Sequence, residues 1–373
     1  MQNQLHIISQ STPYPGDCAV SIDILNRIKA FHNKGIDIHL HYFDINDEYP
    51  IELSDYCKTV NVYKVANKNI NKTKLNDQKK HFVHNDLVEN INSNNFPVLF
   101  EGLSSTGVLE KINFENRKVC IRLHKDQNLG NKLTQNGQQG VFGTFIKRIK
   151  NTFKERKEYP LPKNCMYACI SEEDARQLKL MGISKAAFVP AFPTWQAVDI
   201  ITGTGNFCLF HGNLSEPENE KAAFWLLNNV FNKIRIPFVI AGKNPTNRLV
   251  KAAHLYQHTC IVSNPCDSEL NDLIHKAHIN ILPCLRKNYT GIRFKLLHAM
   301  YRGRHCITTP TIVRGSGLEK ACHIGSSANN LAAIISQVYP LPFMEEEIKV
   351  RKKLLYETYN NEENINSFID YLW

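Results

Sequence analysis

The sequence lacks a second cysteine pair at metal-binding spacing. Cys165 and Cys169 have three residues between them, and the rest of the eleven cysteines are scattered. That pattern argues against a zinc ribbon and points to reduced, mostly buried thiols in a cytosolic compartment. No apolar run approaches the roughly 20 residues that a membrane span needs. The opening stretch, Met1 to Ile8, enters a strand directly, with no basic n-region or long apolar h-region, so no signal peptide is expected. No carboxylate pair of the metal-holding type is evident, so no bound metal is expected. A dinucleotide fingerprint is also missing. Gly203-x-Gly205 precedes a strand instead of following one, and Cys208 stands where the third glycine belongs.

What is present is length, core-forming residues and positive charge. The 373 residues, 43% of them apolar, are enough for about two domains with a sizeable core in each. The net charge is +10, and it is uneven: residues 111–163 hold 13 Lys/Arg against 4 Asp/Glu. Such a concentration implies an anionic partner, whether a phosphate-bearing substrate, an anionic lipid or nucleic acid. Within it, Phe142, Phe145, Ile146, Ile149 and Phe153 form an apolar stripe bordered by Lys147, Arg148, Lys150, Lys154, Arg156 and Lys157. This reads either as a helix resting on an anionic membrane surface or as a domain helix with its basic side in water.

Strand-like and helix-like patterns alternate along the chain. In the first half, strands are expected at Leu5 to Ser9, Ile36 to Tyr42, Phe96 to Phe100, Lys118 to Leu123, Met166 to Ile170 and Ala187 to Pro190. A helix is expected over Ser21 to His32, and another after Ser171, a good N-cap. Residues 64–80 read as a solvated loop. Residues 191–206 read as a linker, and the alternation then restarts with Phe207 to His211, Pro237 to Ala241, Thr259 to Val262 and Ile279 to Leu282 as strands. The order is that of a parallel sheet with helices on both faces, repeated twice. The final stretch reads as two helices separated near Asn360-Asn361.

The stretch from Thr290 to Gly303 carries the chemistry. It follows a strand, begins as a turn and becomes an amphipathic helix. A helix start presents unpaired N–H groups and the positive end of a dipole. Thr290 can cap it, and Gly291 lets a ligand approach the backbone. Arg293 and Lys295 put two cations in the first turn, where they oppose the dipole. They make sense if a multiply charged anion sits there. Gly291, Lys295 and His298 share one face. The physical reading is a diphosphate site; the bland alternative is a solvated basic turn.

These residues resemble the C-terminal signature of retaining glycosyltransferases of family 4, Gly-Thr-Arg-Leu-Lys-x-Leu-Glu-Ala-Met-Ala-x-Gly. Here it runs Gly291-Ile292-Arg293-Phe294-Lys295-Leu296-Leu297-His298-Ala299-Met300-Tyr301-Arg302-Gly303. The segment His211-Gly212-Asn213-Leu214 with Pro217 and Asn219 resembles the first strand and loop of the family's donor domain, and Ala241-Gly242-Lys243-Asn244-Pro245 its second strand end. Pro13-Tyr14-Pro15-Gly16 resembles the opening loop, and Arg122-Leu123-His124 the Arg-x-His segment. The likeness covers nearly the whole chain, with residues 290–303 its most specific block. Thr290 and His298 depart from it by standing where many members have glutamates. Ala19 and Val20 fall about where paired glycines stand.

The resemblance implies an α/β chain of GT-B architecture: two facing Rossmann-like domains with parallel sheets, and C-terminal helices crossing back to the first domain. The expected bounds are 1–190 for the acceptor-side domain, 191–206 for the linker, 207–345 for the nucleotide-sugar domain and 346–373 for the closing helices. The implied reaction moves a sugar from a nucleotide diphosphate sugar to an acceptor hydroxyl with retention. Arg293 and Lys295 would stabilise the leaving diphosphate without a metal, and His124 would orient sugar hydroxyls or help with the proton. Gly16, Gly212, Asn213, Gly242, Lys243, Asn264, Thr290, Gly291, Ile292 and His298 would bind the donor. The donor is a substrate, and no cofactor is expected. The implied acceptor is a glycan, a lipid-linked molecule or a protein, with the enzyme cytoplasmic, at the inner face of an anionic membrane, in glycan assembly.

Two other readings compete. An epimerase of the same architecture would need acid/base carboxylates, and none are evident as a pair. A non-catalytic polyanion binder would use the basic segment. Its aromatics fall on the apolar face instead of between the charges, which argues against nucleic acid.

Overall fold

The computed structural model describes residues 3–16, 18–45, 49–65, 79–124, 161–286 and 294–373. The chain divides into two units. Unit 1 is residues 1–192 with 361–373, and unit 2 is residues 193–360.

Unit 1 is built on a seven-stranded parallel sheet. Its strands are β1 Gln4–Ser9, β2 Asp37–Asp44, β3 Thr59–Lys64, β4 Val98–Glu101, β5 Val119–Leu123, β6 Met166–Cys169 and β7 Ala186–Phe188, in the order β3-β2-β1-β4-β5-β6-β7. Between them run α1 Ala19–Asn33, α2 Asn85–Asn92 and α3 Glu172–Leu180. Alternate strand residues feed two cores, as the two-residue side-chain period dictates. Ile8, Phe100, Ile121 and Tyr167 face α2 and α3, while Ile7, Leu40, Leu99 and Cys120 face α1 and the C-terminal helix.

Unit 2 repeats the plan with six parallel strands. These are β8 Cys208–His211, β9 Phe238–Gly242, β10 Thr259–Ser263, β11 Ile279–Leu282, β12 His305–Thr308 and β13 His323–Ile324, in the order β10-β9-β8-β11-β12-β13. Its helices are α4 Pro217–Leu226, α5 Asn247–Ala253, α6 Asp267–Lys276, α7 Phe294–Arg302, α8 Pro310–Val313, α9 Ala328–Val338 and α10 Glu345–Tyr359. Phe210, Phe238, Ile240 and Ile281 pack under α4, α5 and α9, and Leu209, Val239 and Ala241 pack against Ile274 of α6. The last helix, α11 Asn361–Leu372, returns to unit 1, where Phe368 lies 5.7 Å from Phe31 of α1 between ring centroids.

Each sheet reverses its winding once, between β1 and β4 and between β8 and β11. Ligands of open α/β sheets bind at the carboxyl ends of strands beside such a reversal. Ser171 does precede α3, but its side chain makes no capping hydrogen bond. All eleven cysteines are free thiols, most of them buried. The expected amphipathic basic segment, residues 141–157, and most of the expected 64–80 loop lie outside the described residues.

Candidate active site

In unit 2 the expected donor residues collect at the carboxyl ends of β8, β9 and β10. β8 ends in His211 and is followed by Gly212 and Asn213; β9 ends in Gly242 and is followed by Lys243. The two strand ends touch. A Cβ on Gly242 would fall 1.7 Å from the Gly212 carbonyl oxygen, so only glycine fits. Asn264 follows β10 in the left-handed region, φ 54°, and its Oδ1 accepts the Asn244 N–H at 2.7 Å. It therefore braces the turn after β9, while Lys243 stands exposed.

Lys295 reaches this edge from the first turn of α7. Its Nζ donates to Asn219 Oδ1 at 3.0 Å, and Asn219 Nδ2 donates to the Asn213 carbonyl at 2.9 Å. The ammonium also lies 5.1 Å from the Phe210 ring centroid, a cation–π contact worth about 0.5–2 kcal/mol. Asn219 thus ties the cation to the loop after β8. Arg286, following β11, pairs with Glu218 at the start of α4 and brings a second cation to the same edge.

His298 sits one turn further along α7. Its ring stacks on Trp195 at 4.1 Å and its Nε2 lies 2.6 Å from Asn271 Oδ1, which places the proton on Nε2. Burial, with Arg302 and His275 nearby, holds its pKa down to about 3, so the ring is neutral. His211 lies edge-on to it at 6.0 Å. Burial, His298 and Lys295 hold the His211 pKa well below its ordinary value. Among the described residues, His211 Nε2 is buried with no hydrogen-bond partner, an orphan of the kind a bound ligand satisfies. Thr290, Gly291, Ile292 and Arg293 lie outside the described residues.

In unit 1 the carboxyl ends of β4 and β5 face α1 through a buried ionic cluster. Arg27 Nη1 donates to Asp23 Oδ2 at 2.6 Å, and Arg27 Nη2 pairs with Glu101. Arg122 Nη2 donates to Asp23 at 3.1 Å and to the Pro190 carbonyl at 2.9 Å. The Phe192 N–H donates to Asp23 Oδ1 at 2.8 Å. Burial alone would raise the Asp23 carboxyl, but Arg122 and Arg27 outweigh it and hold the group well below the usual range. Burial likewise opposes, and Arg27 and His124 overcome, at Glu101, whose pKa is lowered. Two guanidiniums thus balance two carboxylates. Removing one partner from such a set costs about 3–5 kcal/mol.

His124 projects from this cluster just past β5. Its Nε2 lies 2.7 Å from Glu101 Oε2, and its Nδ1 lies 3.9 Å from Asp23 Oδ2. Carboxylates thus face both ring nitrogens and fix the orientation of the imidazole. Gly16 lies past β1, where a Cβ would press on Ile22 at 3.3 Å.

The fold does bring together a carboxylate pair, Asp23 and Glu101, that the sequence left unseen. Because the arginines keep both ionised, neither can act as the proton donor an epimerase requires. The sequence reading also assigned no site role to His211, Trp195, Asn219, Asn271, Arg286, Asp23, Arg27 or Glu101. One signal was available in the first helix: Asp23 and Arg27 are four residues apart on the same face as Ile24, Leu25, Ile28 and Phe31. Polar residues inside an apolar stripe are buried and paired.

Residues 205–339 match the family model "Glycosyl transferases group 1". A 44.6 kDa protein in the cps region of Klebsiella pneumoniae is 25% identical over 333 residues, covering 83% of this chain and 84% of that protein. Among solved structures, the S. aureus TarM G117R mutant in complex with fondaparinux, alpha-GlcNAc-glycerol and UDP superposes with a TM-score of 0.67 at 10% identity, over 100% of both chains. WaaG, a glycosyltransferase involved in lipopolysaccharide biosynthesis, superposes at 0.62 with 11% identity, over 99% of both chains. At these identities the structural likeness is one of fold. The group 1 match places a glycosyltransferase domain in unit 2, and the two parallel α/β sheets share the GT-B fold of these structures.

Proposed function

We propose that the chain transfers a sugar from a nucleotide diphosphate sugar to an acceptor hydroxyl with retention, without a metal at the diphosphate, during assembly of a surface glycan or glycoconjugate. The observation that carries this is Lys295, fixed by Asn219 to the loop after β8, beside the point where the unit 2 sheet reverses. As the sugar–oxygen bond breaks, negative charge grows on the leaving diphosphate. Lys295, the neighbouring Arg293 and backbone N–H groups at the Gly212 turn would stabilise it there. The acceptor hydroxyl loses its proton to the departing phosphate oxygen on the same face. His124, oriented by Glu101, would hold sugar hydroxyls in place. Retention rests on the family resemblance. Support for the donor and the pathway comes from UDP in the TarM complex, from WaaG in lipopolysaccharide biosynthesis and from the relative in a cps region.

The test follows the anomeric proton by NMR during transfer, in excess chelator, with the protein shown to stay folded by circular dichroism. The expected product keeps the donor's anomeric configuration and forms at an undiminished rate. An inverted product would overturn retention. A rate that vanishes and returns only with a divalent ion would overturn the metal-free diphosphate site. Donor conversion without any acceptor would instead favour an epimerase.

A further inference from the structure

The opposite edge of the unit 2 sheet holds a second cluster with ligand chemistry. His305 opens β12, His323 opens β13, and Glu347 lies in the first turn of α10. These are amino-terminal strand ends, whereas Gly212 and Gly242 stand at carboxyl-terminal ends. Ile307 pairs with His323, and His305 is two residues before Ile307, so both histidines share one face of the sheet.

His305 Nδ1 lies 3.4 Å from His323 Nε2 and 3.5 Å from Glu347 Oε1, and all three ligand atoms fall within 4.8 Å of one another. Ligands at about 2.0–2.2 Å from a tetrahedral ion stand roughly 3.3–3.6 Å apart. The N···N separation is long for a hydrogen bond and right for two ligands of one ion.

Outer contacts aim the His305 and Glu347 atoms inward. The Leu341 carbonyl lies 3.2 Å from His305 Nε2 and takes that proton, leaving the lone pair on Nδ1. Glu347 Oε2 accepts the Met344 N–H at 2.8 Å, which fixes the carboxylate with Oε1 toward the histidines. Such partners on the far side of each ligand are a regular feature of metal sites. The neighbouring Arg351 guanidinium is spent on the Gly303 and Arg304 carbonyls.

We propose that His305, His323 and Glu347 bind one divalent transition metal ion, Zn2+ by the imidazole and carboxylate donors, with water completing the shell. The ion would pin the two-residue edge strand β13 and the start of α10 to β12. The sequence reading expected no metal anywhere; this site needs three residues that only the fold brings together.

The test uses the full chain, stripped with chelator and titrated with Zn(II), then with Co(II). The wild type should take one equivalent, melt at a higher temperature with the metal, and give a four-coordinate Co(II) spectrum without thiolate charge-transfer absorption. His323→Ala and Glu347→Gln should each bind at least about tenfold more weakly and lose the thermal shift. Glu347→Gln keeps an acceptor for the Met344 N–H, so its metal-free melting point should stay near that of the wild type. A wild type that takes no equivalent, or variants that bind as it does, would overturn the site.

Discussion

A methyl group on Gly242 would collide with the Gly212 carbonyl, which makes this contact the tightest constraint on the donor edge. Gly242→Ala should therefore force the two strand ends apart and destabilise the protein by at least about 2 kcal/mol, read from the urea midpoint. An unchanged midpoint would mean that the loops after β8 and β9 do not pack as described. The buried rings and carboxylates make a second prediction. The His298 pKa falls from its ordinary 6.5 to about 3 on folding, so between those values the unfolded chain binds more protons. Stability is thus fully present above about pH 6.5 and declines as pH drops through the window. The lowered Asp23 and Glu101 add to the loss in the same direction, from the ordinary carboxylate range downward. Urea midpoints should fall from about pH 7 to pH 5; a midpoint that rises would contradict the buried neutral imidazoles.

Among the elements, those with strong apolar periodicity were legible from the sequence. β1, β2, β8, β11 and α1 lie within a few residues of where the pattern puts them. β3 was not read, because Thr59-Val-Asn-Val-Tyr-Lys is an edge strand whose partly exposed residues break the apolar run. β13 was missed because two residues carry no period. At the candidate site, Gly212, Gly242 and Lys295, which the fold gathers at one sheet edge, stood out in the sequence because backbone approach and phosphate charge demand particular residue types. The ionic cluster of Asp23, Arg27, Glu101 and Arg122 was not, since its members come from three elements that only the sheet order joins. We propose from charge and apolar patterning that residues 141–157 rest on an anionic membrane surface, the alternative being a domain helix with its basic side in water. Each Lys or Arg near an anionic surface contributes about 1 kcal/mol. Flotation with anionic liposomes should carry the wild type at low salt and leave Lys147→Glu/Arg148→Glu/Lys150→Glu behind. A wild type that fails to float would assign the basic segment to a soluble acceptor.

Across the whole molecule, the same doubly wound plan appears twice, and each unit presents its polar site residues at the carboxyl edge beside a reversal of strand order. Among the described residues no helix is long and apolar enough to cross a membrane. The central claim is that a nucleoside diphosphate binds the start of α7 in unit 2. Calorimetric titration of a panel of nucleoside diphosphates into the wild type, Lys295→Ala and Arg293→Ala tests it most directly. One nucleotide should bind the wild type. Each folded variant should bind it about 10- to 150-fold more weakly, the loss of one charge-assisted hydrogen bond worth roughly 1.5–3 kcal/mol. Wild-type affinity in both variants, or no nucleoside diphosphate bound by the wild type, would contradict it.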